Sequence, residues 1–188
     1  MTKSIMIVGV GGQGTLLASR IIGYVLQKNG LDVKLSEVHG MSQRGGSVVT
    51  YVRFGEKVYS AVVTAGEADF ILAFEKIEAA RYIHCLKDGG RVIANTAEID
   101  PMPVIIGKAE YPHGVLEELR SKSIDIDQVD AEALAKEAGS VRAANVVLVG
   151  RLSKAFDFPE SDWIEAIRAT VKPKFIELNE KAFQSGRN

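Results

Sequence analysis

The stretch best equipped for chemistry is Gly9-Val10-Gly11-Gly12-Gln13-Gly14, with four glycines in six residues. An apolar run enters it at Ile5-Met6-Ile7-Val8, and a helical pattern leaves it at Leu16, Leu17, Ile21, Ile22, Val25 and Leu26. Strand, tight turn and helix in that order gather unpaired backbone N–H groups and the positive end of a helix dipole at one point, a site for an anion or a substrate edge. Gly9, Gly11 and Gly14 also carry the spacing of a dinucleotide fingerprint. Gln13 adds an amide that packing does not require and that can donate and accept at the helix mouth. The second candidate is His39-Gly40-Met41-Ser42-Gln43-Arg44-Gly45-Gly46-Ser47, nine mostly polar or glycine residues between two apolar runs. Arg44 beside Gly45 and Gly46 offers a guanidinium fork and free N–H groups to a phosphate or carboxylate, or docks another chain. Glu37 stands where a dinucleotide fold holds the ribose hydroxyls, and reads equally as a solvated strand end. Asn145 is an amide in an apolar helical stretch, either a helix–loop clamp or a wall of the site.

The rest of the chain assembles no catalytic set. His39, His84 and His113 lack metal-ligand spacing, and neither a G-x-S-x-G elbow nor a P-loop lysine is present. Cys85 is the one cysteine, so this chain alone forms no disulfide and supplies no thiolate set for zinc or an iron–sulfur cluster. A net charge of -1 gives no case for nucleic acid or an anionic membrane. The 188 residues are expected to form a single domain, 1–188. No apolar run nears the ~20 residues of a membrane span. Residues 1–3 lead straight into a strand without a signal peptide, so the expected location is cytoplasmic.

These candidates need a scaffold. Residues 3–10 read as a buried parallel strand, 13–28 as its helix with Asn29-Gly30 as C-cap, and 31–38 as a second strand, together a right-handed βαβ unit. A dinucleotide fold continues with a helix and a third parallel strand. Here a β-branched and aromatic run at 48–54, the turn Gly55-Glu56-Lys57 and a partner run at 58–63 predict a β-hairpin instead. That hairpin and its flanking loop are expected to present apolar surface to a partner chain. Strands at 68–74 and 91–95 enclose a helix at 75–86 and a turn at 88–90. Residues 98–112, with three of the five prolines, read as irregular around a short strand at 104–106. Helices are expected at 114–122, 131–139, 143–156, 162–170 and 173–183, an edge strand at 124–129 and a frayed tail at 185–188. The fold expected is α/β, a Rossmann-like three-layer sandwich with a mostly parallel sheet and an inserted β-hairpin.

The two glycine-rich strings in this order, 9–14 and then 37–47, resemble the gamma-type subunit of 2-oxoacid:ferredoxin oxidoreductases, and Asn145 with Gly150 is similar to that family's later Asn-x-x-x-x-Gly element. The resemblance covers essentially the whole chain. The string Ser42-Gln43-Arg44-Gly45-Gly46 makes it most like the small (beta) subunit of the indolepyruvate branch. What the resemblance implies is a complex that decarboxylates a 2-oxoacid, indolepyruvate or an aryl pyruvate, on thiamine diphosphate with Mg. Such a complex passes electrons through iron–sulfur clusters to ferredoxin and releases an acyl-CoA. These cofactors are expected in a larger thiamine- and cluster-bearing partner subunit, none being bound by this chain alone, with coenzyme A as co-substrate. Ferredoxin is then reached through that partner, and the isolated chain is expected to be inactive and to expose apolar surface or form a homodimer.

From the chemistry of the loops, Gly9, Gly11, Gly12, Gln13 and Gly14, with His39, Ser42, Gln43, Arg44, Gly45 and Gly46, and with Asn145, are expected to contact substrate, an anion or the partner subunit. No catalytic residue is expected. Two other readings stand beside this one: a free-standing NAD(P)-binding reductase built on Gly9, Gly11, Gly14 and Glu37, and a non-enzymatic assembly module.

Overall fold

The computed structural model describes residues 2–39 and 45–188. Gly40, Met41, Ser42, Gln43 and Arg44 lie outside the described residues, as does the side chain of His39. Among the described residues the strands are β1 (Lys3–Val10), β2 (Asp32–His39), β3 (Ser47–Gly55), β4 (Ala68–Ala73), β5 (Leu86–Asn95) and β6 (Asp125–Val129). They form one sheet in the order β2-β3-β1-β4-β5-β6. β1, β4, β5 and β6 are parallel, and β3 alone runs against its neighbours β1 and β2.

The helices are α1 (Thr15–Lys28), α2 (Lys76–Tyr82), α3 (Met102–Ile105), α4 (Val115–Ser121), α5 (Ala131–Ala138), α6 (Ala144–Ser153), α7 (Glu160–Thr170) and α8 (Ile176–Arg187). β1 reads as an unbroken apolar run because both faces of the sheet are covered. Ile5 and Ile7 pack with α1 and α5 to α8, while Met6 and Val8 pack with α2 and α4 on the other face. The expected α/β sandwich with helices on both sides is what forms. No helix among the described residues is long and apolar enough to cross a membrane.

Five details differ from the sequence reading. The hairpin is made by β2 and β3, joined through residues 40–46, and residues 58–63 form no strand. The reason is that a strand has two edges, and β3 gives one to β2 and the other to β1. Residues 58–63 instead lie over the sheet, with Val58 and Val63 buried, the Val58 N–H donating to Asp32 Oδ2 (2.8 Å) and Arg53 Nη1 donating to the Val62 carbonyl (2.7 Å). Because β3 is internal, most of 48–63 is core rather than docking surface; only Tyr59 and Val62 are exposed among its large apolar residues. Among the described residues, Met102, Ile105 and Ile106 are exposed apolar side chains elsewhere.

The turn expected at 88–90 is an irregularity within β5: pairing moves from Ala68 to Phe70 on β4 while β5 moves from Leu86 to Arg91. The helix expected at 75–86 stops at Tyr82 and tightens to a 3-10 turn at Ile83–Cys85, and burial there pushes the Cys85 thiol up from its ordinary value. The strand expected at 104–106 is replaced by α3, because prolines at 101 and 103 suit a helix start but cannot donate to a ladder.

The last difference is the carboxyl terminus. Residues 185–188 are not frayed; α8 runs to Arg187, and Gly186 is buried. α6 and α8 cross so closely that a Cβ on Gly150 would collide with the Phe183 carbonyl and one on Gly186 with the Val147 carbonyl. Arg187 Nη1 donates to Ser153 Oγ (2.7 Å) across the same crossing. Gly186→Ala is therefore expected to lower the unfolding free energy by about 2–3 kcal/mol in urea melts, since neither backbone can yield cheaply. A change under about 0.5 kcal/mol would show that the crossing is looser than described.

Candidate functional site

The ends of β1, β4 and β5 and the start of β3 lie at the carboxyl edge of the sheet, where open parallel sheets bind ligands. The turn after β1 is held by Gln13. Its Oε1 accepts from the Val10 N–H (2.7 Å), and its Nε2 donates to the Phe74 carbonyl at the end of β4 (3.0 Å). The amide is therefore engaged inside the turn, against the expectation that packing leaves it free.

The glycines follow from this. A Cβ at Gly9 would sit 2.8 Å from Gln13 Oε1 and 2.9 Å from Phe74 Cβ. Gly14 starts α1 at φ 85°, and a Cβ there would sit 2.5 Å from Asn145 Nδ2. Asn145 donates to the Gly14 carbonyl (3.2 Å) and its Oδ1 accepts from the Val146 N–H (3.0 Å), so it is a helix–loop clamp that also lines a cleft. Gly12 differs from both. It is exposed, at φ 104°, with no atom within 4 Å of a Cβ position, and forms the tip of the loop.

The two glycine-rich stretches touch. The Gly11 N–H donates to the Gly46 carbonyl (2.8 Å) and the Gly45 N–H to the Gly11 carbonyl (3.4 Å), carrying the β1–β3 ladder past its last pair, Val10 with Ser47. Ser47 is fixed in turn by α2: its hydroxyl donates to Glu78, which also accepts from Arg81 Nε (3.0 Å). Glu75 caps α2 by accepting from the Glu78 N–H (3.0 Å) and takes the Tyr111 hydroxyl as well. Burial, then this bond, pushes the Tyr111 phenol above its ordinary value.

Among the described residues no acceptor meets the N–H of Gly12, Gly14, Thr15 or Leu16. The Thr15 side chain, in a residue only 6% exposed, lines the cleft beside the loop tip. The first turn of α1 carries no acidic residue and no side-chain cap, so nothing there offsets the positive end of its dipole. A cleft of about 360 Å³ opens on one side of the loop tip, reaching from Gly12 and Thr15 to Glu37 and Val48. A second, of about 350 Å³, opens on the other side toward Phe74, Asn95, Glu132, Arg142 and Asn145. Glu37 is thus brought beside the loop although β3 separates its strand from β1. No cluster of three or more His, Cys, Asp or Glu side chains is placed to hold a metal among the described residues.

The family model described as pyruvate ferredoxin/flavodoxin oxidoreductase matches residues 4–188. The chain belongs to that family. Proteins named indolepyruvate oxidoreductase subunit IorB from Thermococcus kodakarensis and Pyrococcus horikoshii are each 48% identical to it, the alignments covering 97% of this chain and 93% of theirs. Among solved structures, the gamma subunit of a keto/oxoacid ferredoxin oxidoreductase from Geobacter sulfurreducens PCA superposes with a TM-score of 0.73 at 24% identity, over 98% of this chain and 96% of its own, a likeness of fold. These relatives of the family are subunits of oxidoreductases, and the sequence resemblance to gamma-type subunits holds.

Of the expected site residues, the structure brings Gly9, Gly11, Gly12, Gln13, Gly14, Gly45, Gly46 and Asn145 together. The backbone of His39 ends β2 at the same edge, while Ser42, Gln43 and Arg44 lie outside the described residues. Sequence reasoning missed Thr15, Asn95 and Arg142. A polar residue at the carboxyl end of a parallel strand or the first turn of its helix is the signal that would have found the first two.

The geometry separates the glycines by consequence. Gly14→Ala is expected to destabilise the chain more than Gly12→Ala, by a margin of about 1–2 kcal/mol in thermal or urea unfolding, because both have positive φ but only Gly14 meets a neighbour. Equal losses would contradict the Asn145 clamp.

Proposed function

We propose that this chain is the small subunit of a 2-oxoacid:ferredoxin oxidoreductase of the indolepyruvate type, a single domain spanning residues 1–188 that completes the active complex. The observation that carries the reading is that both glycine-rich strings meet at one carboxyl-edge loop in a chain 48% identical to IorB subunits. The partner is a larger subunit bearing thiamine diphosphate, Mg and iron–sulfur clusters, and through it ferredoxin; the compartment is the cytoplasm. Thiamine diphosphate, when bound in such an enzyme, supplies the carbanion-stabilising chemistry of decarboxylation. The donor groups of this chain do not fit those cofactors: Cys85 is buried and solitary, and the described carboxylates and imidazoles form no metal set.

What this chain does fit is an anionic co-substrate. Gly12, Gly14, Thr15 and Leu16, whose N–H groups meet no acceptor among the described residues, line the clefts at the start of α1. They suit the phosphates of coenzyme A or the carboxylate of the oxoacid, bound and oriented without any covalent role for a side chain. Glu37 beside the same loop supports the alternative of a nucleotide-binding reductase.

The purified chain alone is expected to show no turnover of aryl pyruvates, and the chain co-assembled with its large subunit to support coenzyme A-dependent reduction of ferredoxin or a viologen dye. Turnover by the cofactor-free chain would contradict the assignment. Arg44→Ala in the complex is expected to raise the Michaelis constant for coenzyme A or oxoacid, or to weaken subunit association, with stability changed by no more than about 0.5 kcal/mol. Micromolar NADH binding by the isolated chain, abolished by Glu37→Ala, would move the assignment to the reductase.

A further inference from the structure

Asn95 ends β5, is 2% exposed, and lines the cleft that also holds Gly12 and Asn145. Its Nδ2 donates to the Phe74 carbonyl (3.2 Å), and its Oδ1 accepts from the N–H of Ala131 (3.0 Å), the first residue of α5. The Phe74 carbonyl is the same oxygen that receives Gln13 Nε2 (3.0 Å). Gln13 Oε1 in turn receives the Val10 N–H, and the Phe74 N–H donates to the Val8 carbonyl (2.8 Å). A carbonyl oxygen has two lone pairs, and here two side-chain amides fill them.

The result is a chain of amides running from the start of α5, through Asn95, the Phe74 carbonyl and Gln13, to the end of β1. A buried amide is costly unless both of its ends are bonded. Asn95 meets that condition with two backbone groups, the Phe74 carbonyl in the cleft wall and the N–H of Ala131, a core residue at the start of α5. An apolar side chain of similar size would fill the same space without orienting the Phe74 carbonyl.

We propose that Asn95 is a positioning residue for the glycine loop: by orienting the Phe74 carbonyl it sets where Gln13 holds the turn, and so where the open N–H groups of the loop meet an anionic ligand. This rests on the proposed reading of the loop as an anion site, with the phosphates of coenzyme A as its ligand. Asn95 touches no reacting atom; it acts through Phe74 and Gln13.

Asn95→Asp isolates the arm that points to the loop. The carboxylate still accepts from Ala131 N–H but turns an acceptor toward the Phe74 carbonyl. In the complex assembled with its large subunit and assayed with coenzyme A, this variant is expected to raise KM for coenzyme A about tenfold at pH 8 relative to wild type, the size of one buried hydrogen bond. kcat should fall by less than about threefold. Gln13→Glu, which loses its own donor to the same oxygen, is expected to raise KM in the same way. A residue that merely packs would lower yield and melting temperature with KM unchanged, and that outcome overturns the proposal. A coenzyme A-dependent wild-type complex whose Asn95→Asp variant keeps a wild-type KM at pH 8 overturns it alone. A wild-type complex that turns over without coenzyme A overturns both this inference and the reading on which it rests.

Discussion

The carboxyl edge of the sheet depends on one side chain folding back on its own turn. β1 ends abruptly, leaving the Val10 N–H in need of an acceptor, and β4 ends beside it, leaving the Phe74 carbonyl in need of a donor. Gln13 serves both within 3.0 Å, sharing the Phe74 carbonyl with Asn95. Each bond is worth only about 1 kcal/mol net, but a buried group left unbonded costs about 1–3 kcal/mol, so the arrangement is favoured by what its absence would cost. The folded-back amide then excludes a side chain at Gly9, and Asn145 leaning on Gly14 excludes one there. The glycine pattern thus records two different contacts, with Gly12 left as the exposed tip.

β3 gives the edge its second half. Placed between β1 and β2, it runs against both and begins at Ser47, so residues 45 and 46 arrive beside Gly11. The ladder that joins β1 to β3 continues into the glycines, and the Ser47–Glu78 contact ties the same corner to α2. Two strings far apart in sequence become neighbours through backbone pairing alone. The same insertion carries Glu37 to the rim of the cleft, away from the place a standard dinucleotide fold would give it.

Much of this was legible in the chain. The apolar run into Gly9 and the helical spacing from Leu16 fixed the first strand and helix because burial on both faces leaves little choice of period. The loops that meet were recognisable by composition, and Asn145 as an amide needing partners. What could not be read was pairing. The run at 58–63 has strand composition, yet no free edge of β3 remained for it. Gly186 looked like part of a loose tail, because nothing local signals that Val147 packs against it from another helix. Gln13 looked available because its two partners are backbone groups, invisible in a residue pattern. Asn95 and Thr15 were passed over as element boundaries for the same reason.

The central proposal is that the loop at residues 9–16 meets an anionic co-substrate in the assembled enzyme, with the phosphates of coenzyme A as the ligand to test. Amide hydrogen exchange of the complex, with and without saturating coenzyme A, reads it most directly, since the N–H groups of Gly12, Gly14, Thr15 and Leu16 have no acceptor among the described residues. Slower exchange at those four amides on adding coenzyme A is the predicted result. Unchanged exchange there, in a complex that binds coenzyme A and shows protection elsewhere, would contradict it.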